Sequence, residues 1–326
     1  MKRKIKPSLL RKNFVAVSFF CVALLVTGCN NSVTGPSSIT NSGTNLKTAD
    51  KQAITQMTEQ DSVLSSFETN FNENQSINFL GKESTAITPV FVWQHVILKD
   101  KNYTFNQVGD SVFVKVTKTF QGVVNIVAST QGPTTKADTI ITKNFTTVIT
   151  RQLLFERIDS TDNPYRNWRL VGISLVSGGT MTNNFNINKL TVTGSDGNSL
   201  VIDSPEDYFL AREKRWGWWH HFPEIAQKDS ITISVELYSA HADTDFVTLT
   251  YGANFIGMHR NKSNLSLVSS TTSGSGYLKV YQKTFNVGGY FGYFHAVLNA
   301  FSKQTIYDDS AQVESQTWGI PYRVKN

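Results

Sequence analysis

The sequence predicts a mainly β protein: an N-terminal helix with a curved antiparallel sheet, followed by a β-sandwich. Three observations carry this. Apolar and polar residues alternate with period two through most of the second and third hundred residues, as in Val112, Val114 and Val116 against Phe113, Lys115 and Thr117, the pattern of half-buried antiparallel strands. Helical spacing is confined to residues 50–72, where Ile54, Met57, Leu64, Phe67 and Phe71 recur at three, four or seven. The 326 residues are 40% hydrophobic and 12% aromatic, with two cysteines, which supports a packed core and excludes a disordered polymer, a collagen and a disulfide mini-protein.

The chain opens with an address. Lys2, Arg3, Lys4, Lys6, Arg11 and Lys12 precede an apolar run from Phe14 to Val26. That run is shorter than the roughly 20 residues a bilayer-spanning helix needs, and the order of charge, apolar run and small residues is that of a signal peptide. It ends in Leu25-Val26-Thr27-Gly28-Cys29, which resembles the lipobox of bacterial lipoproteins. The resemblance implies cleavage of residues 1–28, a diacylglyceryl thioether on Cys29, and acylation of the new amino terminus. Palmitate-type chains in that number anchor stably, at ~0.8 kcal/mol per buried CH₂. Asn30 follows the cysteine where Asp would favour the inner membrane, so the expected place is the cell envelope, at the outer membrane.

The leader also accounts for the net charge. Its six basic residues equal the formal +6, leaving 25 basic against 25 acidic groups in residues 29–326. No basic footprint for nucleic acid stands out. With Cys21 in the leader and Cys29 lipidated, no thiol is left for a disulfide, a metal or a nucleophile.

Residues 30–48 hold 15 Ser, Thr, Asn, Gly or Pro out of 19 and read, with Cys29, as a disordered tether over 29–48, with a coil span of ~24 Å and a taut limit of roughly 65 Å. Residues 50–72 read as an amphipathic helix, interrupted near Asp61, that lies on a sheet; its other face is acidic rather than Lys-rich, which favours packing over membrane binding. A turn is expected at Gln121-Gly122, strands over 146–158, 168–177 and 185–193, and a hairpin turn at Asp196-Gly197. Ile231, Ile233, Val235 and Leu237 share one strand face; Val247, Leu249 and Tyr251 repeat the pattern, as do Leu278 with Val280, and Phe291, Tyr293, His295 and Val297.

The length suggests two domains at ~150 residues each, divided at a Gly178-Gly179-Thr180 turn: residues 49–180 and 181–326. The helix and the long strands ending in 151–158 and Asn167-Trp168-Arg169-Leu170 resemble the NTF2-like cone. The second part, with about seven strands, resembles an immunoglobulin-like sandwich without its Cys-Trp-Cys mark. A single large β-sandwich is the alternative.

Catalytic signatures such as Gly-x-Ser-x-Gly, a Walker loop or His-Glu-x-x-His are missing. His241, Asp243 and Asp245 stand at i, i+2 and i+4 and would share one strand face toward a metal; the competing reading is a polar turn between Ser239 and Phe246, where Asp is common anyway. His220-His221 and Asp308-Asp309 are adjacent, so on a strand each pair points to opposite faces. Arg215-Trp216-Gly217-Trp218-Trp219 gathers three of the six tryptophans: a buried plug between domains, or an exposed platform for a sugar or a protein.

These readings lead to a non-catalytic envelope lipoprotein that binds a partner or serves envelope structure. No cofactor and no metal are expected; the membrane is the partner of acylated Cys29, with an envelope protein or a glycan as the second partner. One alternative is a glycan-binding lipoprotein using Trp216, Trp218 and Trp219. Another is a small-molecule enzyme in an NTF2-like pocket of at least ~300 Å³, with His95, beside Trp93, as the residue to inspect.

Overall fold

A computed structural model describes residues 37–41, 46–61, 87–132, 136–212, 219–253 and 261–326. The fold is mainly β and sandwich-like: among the described residues, strands form one sheet of thirteen and one of five. No helix among them is long and apolar enough to cross a membrane.

The chain enters as a short strand, β1 (Ser37–Asn41), and a helix, α1 (Thr48–Gln60). Composition alone places 37–41 in a tether. Instead these residues pair in parallel with Lys101–Phe105, because the neighbouring strand offers an open edge whose backbone groups need partners. Helix α1 buries Ala53 and Ile54 completely. Leu64, Phe67 and Phe71, expected on the same helix, lie outside the described residues.

Three long strands follow: β2 (Thr88–Val108), β3 (Ser111–Ser129) and β4 (Thr139–Arg157), antiparallel in sequence order. No turn forms at Gln121-Gly122; β3 runs straight through. Gly122 is there for close approach rather than for bending. A Cβ at this position would stand 2.7 Å from the Phe145 ring and from Val96 Cγ1, so the missing side chain makes room for the phenyl ring.

Beyond the four-residue helix α2 (Pro164–Asn167) come β5 (Trp168–Ser174) and β6 (Val176–Thr180). The expected turn at 178–180 is part of β6. Gly178 and Gly179 are hydrogen-bonded between β4 and the C-terminal strand, and a Cβ on either would meet backbone at 2.5 Å or less. The chain leaves the larger sheet after Thr180, but that sheet takes strands from both sides of the expected boundary, because β6 pairs with β4 on one edge and with the C-terminal strand on the other.

β7 (Phe185–Thr193) and β8 (Ser199–Ile202) form the hairpin expected around Asp196-Gly197, with Gly197 at φ 81°. Then come β9 (Phe209–Arg212), β10 (Trp219–His220), β11 (Glu224–Ala226), β12 (Ser230–Ser239), β13 (Phe246–Ala253), β14 (Asn261–Asn264), β15 (Ser266–Ser273), β16 (Gly276–Asn286) and β17 (Gly292–Phe301). Helix α3 (Lys303–Tyr307) and β18 (Ser315–Lys325) end the chain.

The smaller sheet runs β15-β16-β12-β7-β8; the larger runs β1-β2-β3-β4-β6-β18-β17-β13-β14 along its main path. One core joins them: Ile231, Ile233, Val235 and Leu237 of β12 belong to the same cluster as Leu249 and Leu298 of the larger sheet and Ile54 of α1. The alternation on β12 and β13 was legible. On β16 it misleads. The buried row is Lys279, Tyr281 and Phe285, while Leu278 and Val280 are only half-buried. On β17 the row in the main core is Ala296, Leu298 and Ala300, while Val297 is buried on the opposite face and Tyr293 and His295 are half-buried.

Candidate functional site

The tryptophan-rich segment leads to one end of the sandwich. Trp219 and His220 pair with Arg212 and Ala211. The chain then turns at His221, which has φ 62° and accepts a hydrogen bond from the Tyr208 hydroxyl at 3.1 Å. Phe222 is buried against Tyr293, ring centroids 5.0 Å apart, and Arg323 N–H donates to Pro223 O at 2.9 Å. Glu224–Ala226 then run parallel to Arg323–Lys325. Trp216, Trp218 and Cys29 lie outside the described residues.

Beside this bridge, the loop between β16 and β17 carries Gly288-Gly289-Tyr290-Phe291. Its backbone is tied down: Val287 N–H donates to Asp229 O at 2.8 Å, and the Gln227 amide donates to Gly289 O. The two aromatics are nevertheless 83% and 70% exposed. Arg323 stacks over Tyr293 at 5.6 Å, and Arg323 and Lys325 reach Glu224 at 3.3 and 2.9 Å. The end thus presents two solvent-facing rings on a fixed loop, backed by further aromatics and a small ionic cluster. The Gly-Gly-aromatic run around residue 290 was the available sequence signal.

The other singled-out groups have internal work. His241, Asp243 and Asp245 do lie in the connection between Ser239 and Phe246. They do not converge. His241 Nε2 pairs with Glu314 at 2.8 Å, Asp243 faces Lys303 at 3.3 Å and Gln304 at 3.0 Å, and Asp245 takes Lys279 at 2.7 Å. Asp308 closes a local turn, accepting from Ser310 N–H, Ser310 Oγ and Ala311 N–H. Those bonds, the Ser310 hydroxyl first, hold its carboxyl below the ordinary range. Lys143 reaches from β4 to the carbonyls of Thr305, Asp308 and Ala311, so a cation sits where α3 leaves its last carbonyls unpaired. Burial lowers the pKa of that ammonium, and Asp308 and Asp309 offset part of the shift.

Under α1 the sheet carries a charged row that sequence reasoning missed. Glu59 accepts from Lys101 at 2.5 Å and from the Tyr103 hydroxyl. Burial pushes Glu59 up; these bonds and the lysine charges outweigh it and hold the carboxyl low. Burial, then the Arg151 charge, brings Lys118 down to about 8. Lys101 and Lys118 are cross-strand partners and Arg151 sits one row on, an adjacency that exists only once the register is known. His95 is elsewhere: it is exposed, while its neighbours Gln94 and Val96 line a recess with Phe145 and Thr147 that has room for about one water. No protein-family model matches the chain, and no curated protein matches it.

Proposed function

We propose that this chain is a cell-envelope lipoprotein: a non-catalytic β module, held at the outer membrane by acylated Cys29, that binds an envelope partner. The leader, the Cys29 context and the neutral remainder of the sequence support the anchoring. The observation that carries the binding role is the exposure of Tyr290 and Phe291 on a hydrogen-bonded loop. Large aromatics in solvent on a fixed backbone mark an interaction surface, because their burial on contact is strongly favourable and costs little ordering. His241, Asp245, Lys143 and Glu59 serve neighbours within the fold, which supports a module built for stability rather than turnover. In the same reading, residues 49–180, with α1 on the long strands, are the NTF2-like part and residues 181–326 the immunoglobulin-like part.

The test is metabolic labelling with an alkyne-tagged palmitate, followed by membrane fractionation. The wild-type chain is labelled and sediments with the outer membrane; Cys29→Ser is unlabelled and leaves that fraction. Equal labelling of both would sink the anchoring. Crosslinking of the lipidated chain in its own envelope, read by mass spectrometry, then identifies what the Tyr290 end touches.

A further inference from the structure

A second surface stands apart from the Tyr290 end. Among the described residues, β1 pairs with Lys101–Phe105 of β2, and residues 88–98 lie beyond that pairing. They pair with 119–129 of β3, which pair with 139–146 of β4. One face of these three strands is closed: Val92, Val124 and Ile126 pack with Ile306, Tyr307 and Val313. The opposite face holds the residues of the other parity. On β2 these are Phe91, Trp93, His95 and Ile97, of which His95 and Ile97 are exposed and the two aromatic rings half-buried.

The composition of this face is specific. Phe91 and Trp93 lie with ring centroids 5.5 Å apart and planes tilted by 39°. Beside Trp93 the register places Asn125 and then Thr142, whose hydroxyl donates to Asn125 Oδ1 at 2.8 Å. That bond fixes the amide plane and directs its NH₂ elsewhere. One row further on are Asn144, opposite Val123, and two rows on is Gln121; both are exposed. Across the four rows from Phe91 to Ile97 there is no Asp, Glu, Lys or Arg.

We propose that this face binds a neutral oligosaccharide, with Trp93 as the stacking ring. A pyranose offers an apolar C–H face rimmed by hydroxyls that both donate and accept. The indole face, with its negative quadrupole, suits the C–H side. Primary amides suit the rim, since each carries donor and acceptor in one plane. The absence of charge over four rows selects against phosphorylated or acidic glycans and nucleic acid, which are held by Arg and Lys. A three-stranded sheet closed behind by packing presents these groups already ordered, so little entropy is lost on binding. The site requires neither acylation of Cys29 nor the Trp216–Trp219 segment, and it stands or falls separately from the anchoring.

The test uses the full chain in detergent and isothermal titration with neutral hexasaccharides: β-1,4-linked glucose, mannose, xylose and N-acetylglucosamine, and β-1,3-linked glucose. At least one binds, and Trp93→Ala weakens it by about tenfold or more. Because Trp93 is half-buried, the pair Gln121→Ala/Asn144→Ala serves as the second variant; both positions are exposed, the fold is kept, and affinity still falls several-fold. No binding by the wild type to any of the five, or binding that survives both variants, overturns the proposal.

Discussion

Lys279 Nζ lies 2.7 Å from Asp245 Oδ2, and both side chains are fully buried between strands. The lysine stands on the inward row of β16, next to Tyr281. Its ammonium also donates to Asp243 O. Asp245 N–H donates to the Tyr281 hydroxyl at 2.7 Å, and its second carboxylate oxygen accepts from Lys303 N–H at 3.3 Å. Burial pushes the Asp245 carboxyl up, and the Lys279 contact works against that. The arrangement closes the connection between β12 and β13 over the core.

Removing one member of this pair leaves the other charge buried and unmatched. Lys279→Met is expected to cost about 3–5 kcal/mol, and Lys279→Met with Asp245→Leu to recover a large part of it. Urea unfolding of the two variants measures this. Equal losses in both would mean that packing around Tyr281, not the charge, sets the cost.

Trp168 ties α1 to the sheet. Its indole N–H donates to Asp50 Oδ1 at 2.8 Å in a buried setting, and Arg157 covers its ring at 4.8 Å. Trp168→Phe keeps most of the apolar ring but strands the carboxylate, for about 1–3 kcal/mol. Hydrogen exchange over residues 48–60 should accelerate in the variant; unchanged protection would contradict the link.

Glu206 gives a pH dependence with a definite sign. Burial raises its pKa, but hydrogen bonds from Thr150, Lys115 and Ser177 and the Lys115 charge outweigh that, so the folded value lies below the ordinary 4.5. Its contribution is full above 4.5 and is lost as pH falls through the lowered folded value, where the native carboxylate takes up its proton. Glu206→Gln should therefore be less stable at neutral pH and show a shallower loss in acid. Thermal melts from pH 7 down to 3 provide the comparison, and parallel curves would argue against the role.

Gly122→Ala places a Cβ against the Phe145 ring and Val96, each at 2.7 Å from the ideal position. Overpacking of this kind costs about 1–3 kcal/mol. The companion Gly122→Ala/Phe145→Leu, with a smaller neighbour, should recover part of it in the same unfolding experiment.

The double variant Tyr290→Ser/Phe291→Ser should change stability by less than about 0.5 kcal/mol, as exposed substitutions do, because the loop is held by Val287 and Gln227 rather than by the two rings. Crosslinks to an envelope partner should disappear. Loss of stability without loss of crosslinks would show that the rings pack inward.

Several elements could be read directly because local pattern and tertiary environment agree. β12 alternates cleanly, and Asp196-Gly197 supplies a positive-φ glycine to the hairpin of β7 and β8. β16 could not be read in this way. Its inward row contains a lysine, and hydrophobicity alone assigns Lys279 to solvent and Leu278 to the core. Gly122 read as a turn because a glycine's freedom looks the same whether it serves bending or close approach. Trp93 looked like any strand aromatic until the register set Asn125 and Thr142 beside it.

The sequence by itself determined the mainly β class and the strands with consistent alternation, and it alone carries the proposal of a lipidated leader, since each depends on residues close together in the chain. Tertiary structure alone decided that β6 joins β4 to β18 so that one sheet takes strands from both sides of residue 180, that Lys279 faces inward onto Asp245, and that an uncharged amide-and-aromatic face is left open on β2–β4. The physical reason is common to all three. Burial and pairing are set by partners tens of residues away, and a polar group is stable inside only where the fold delivers its counterpart.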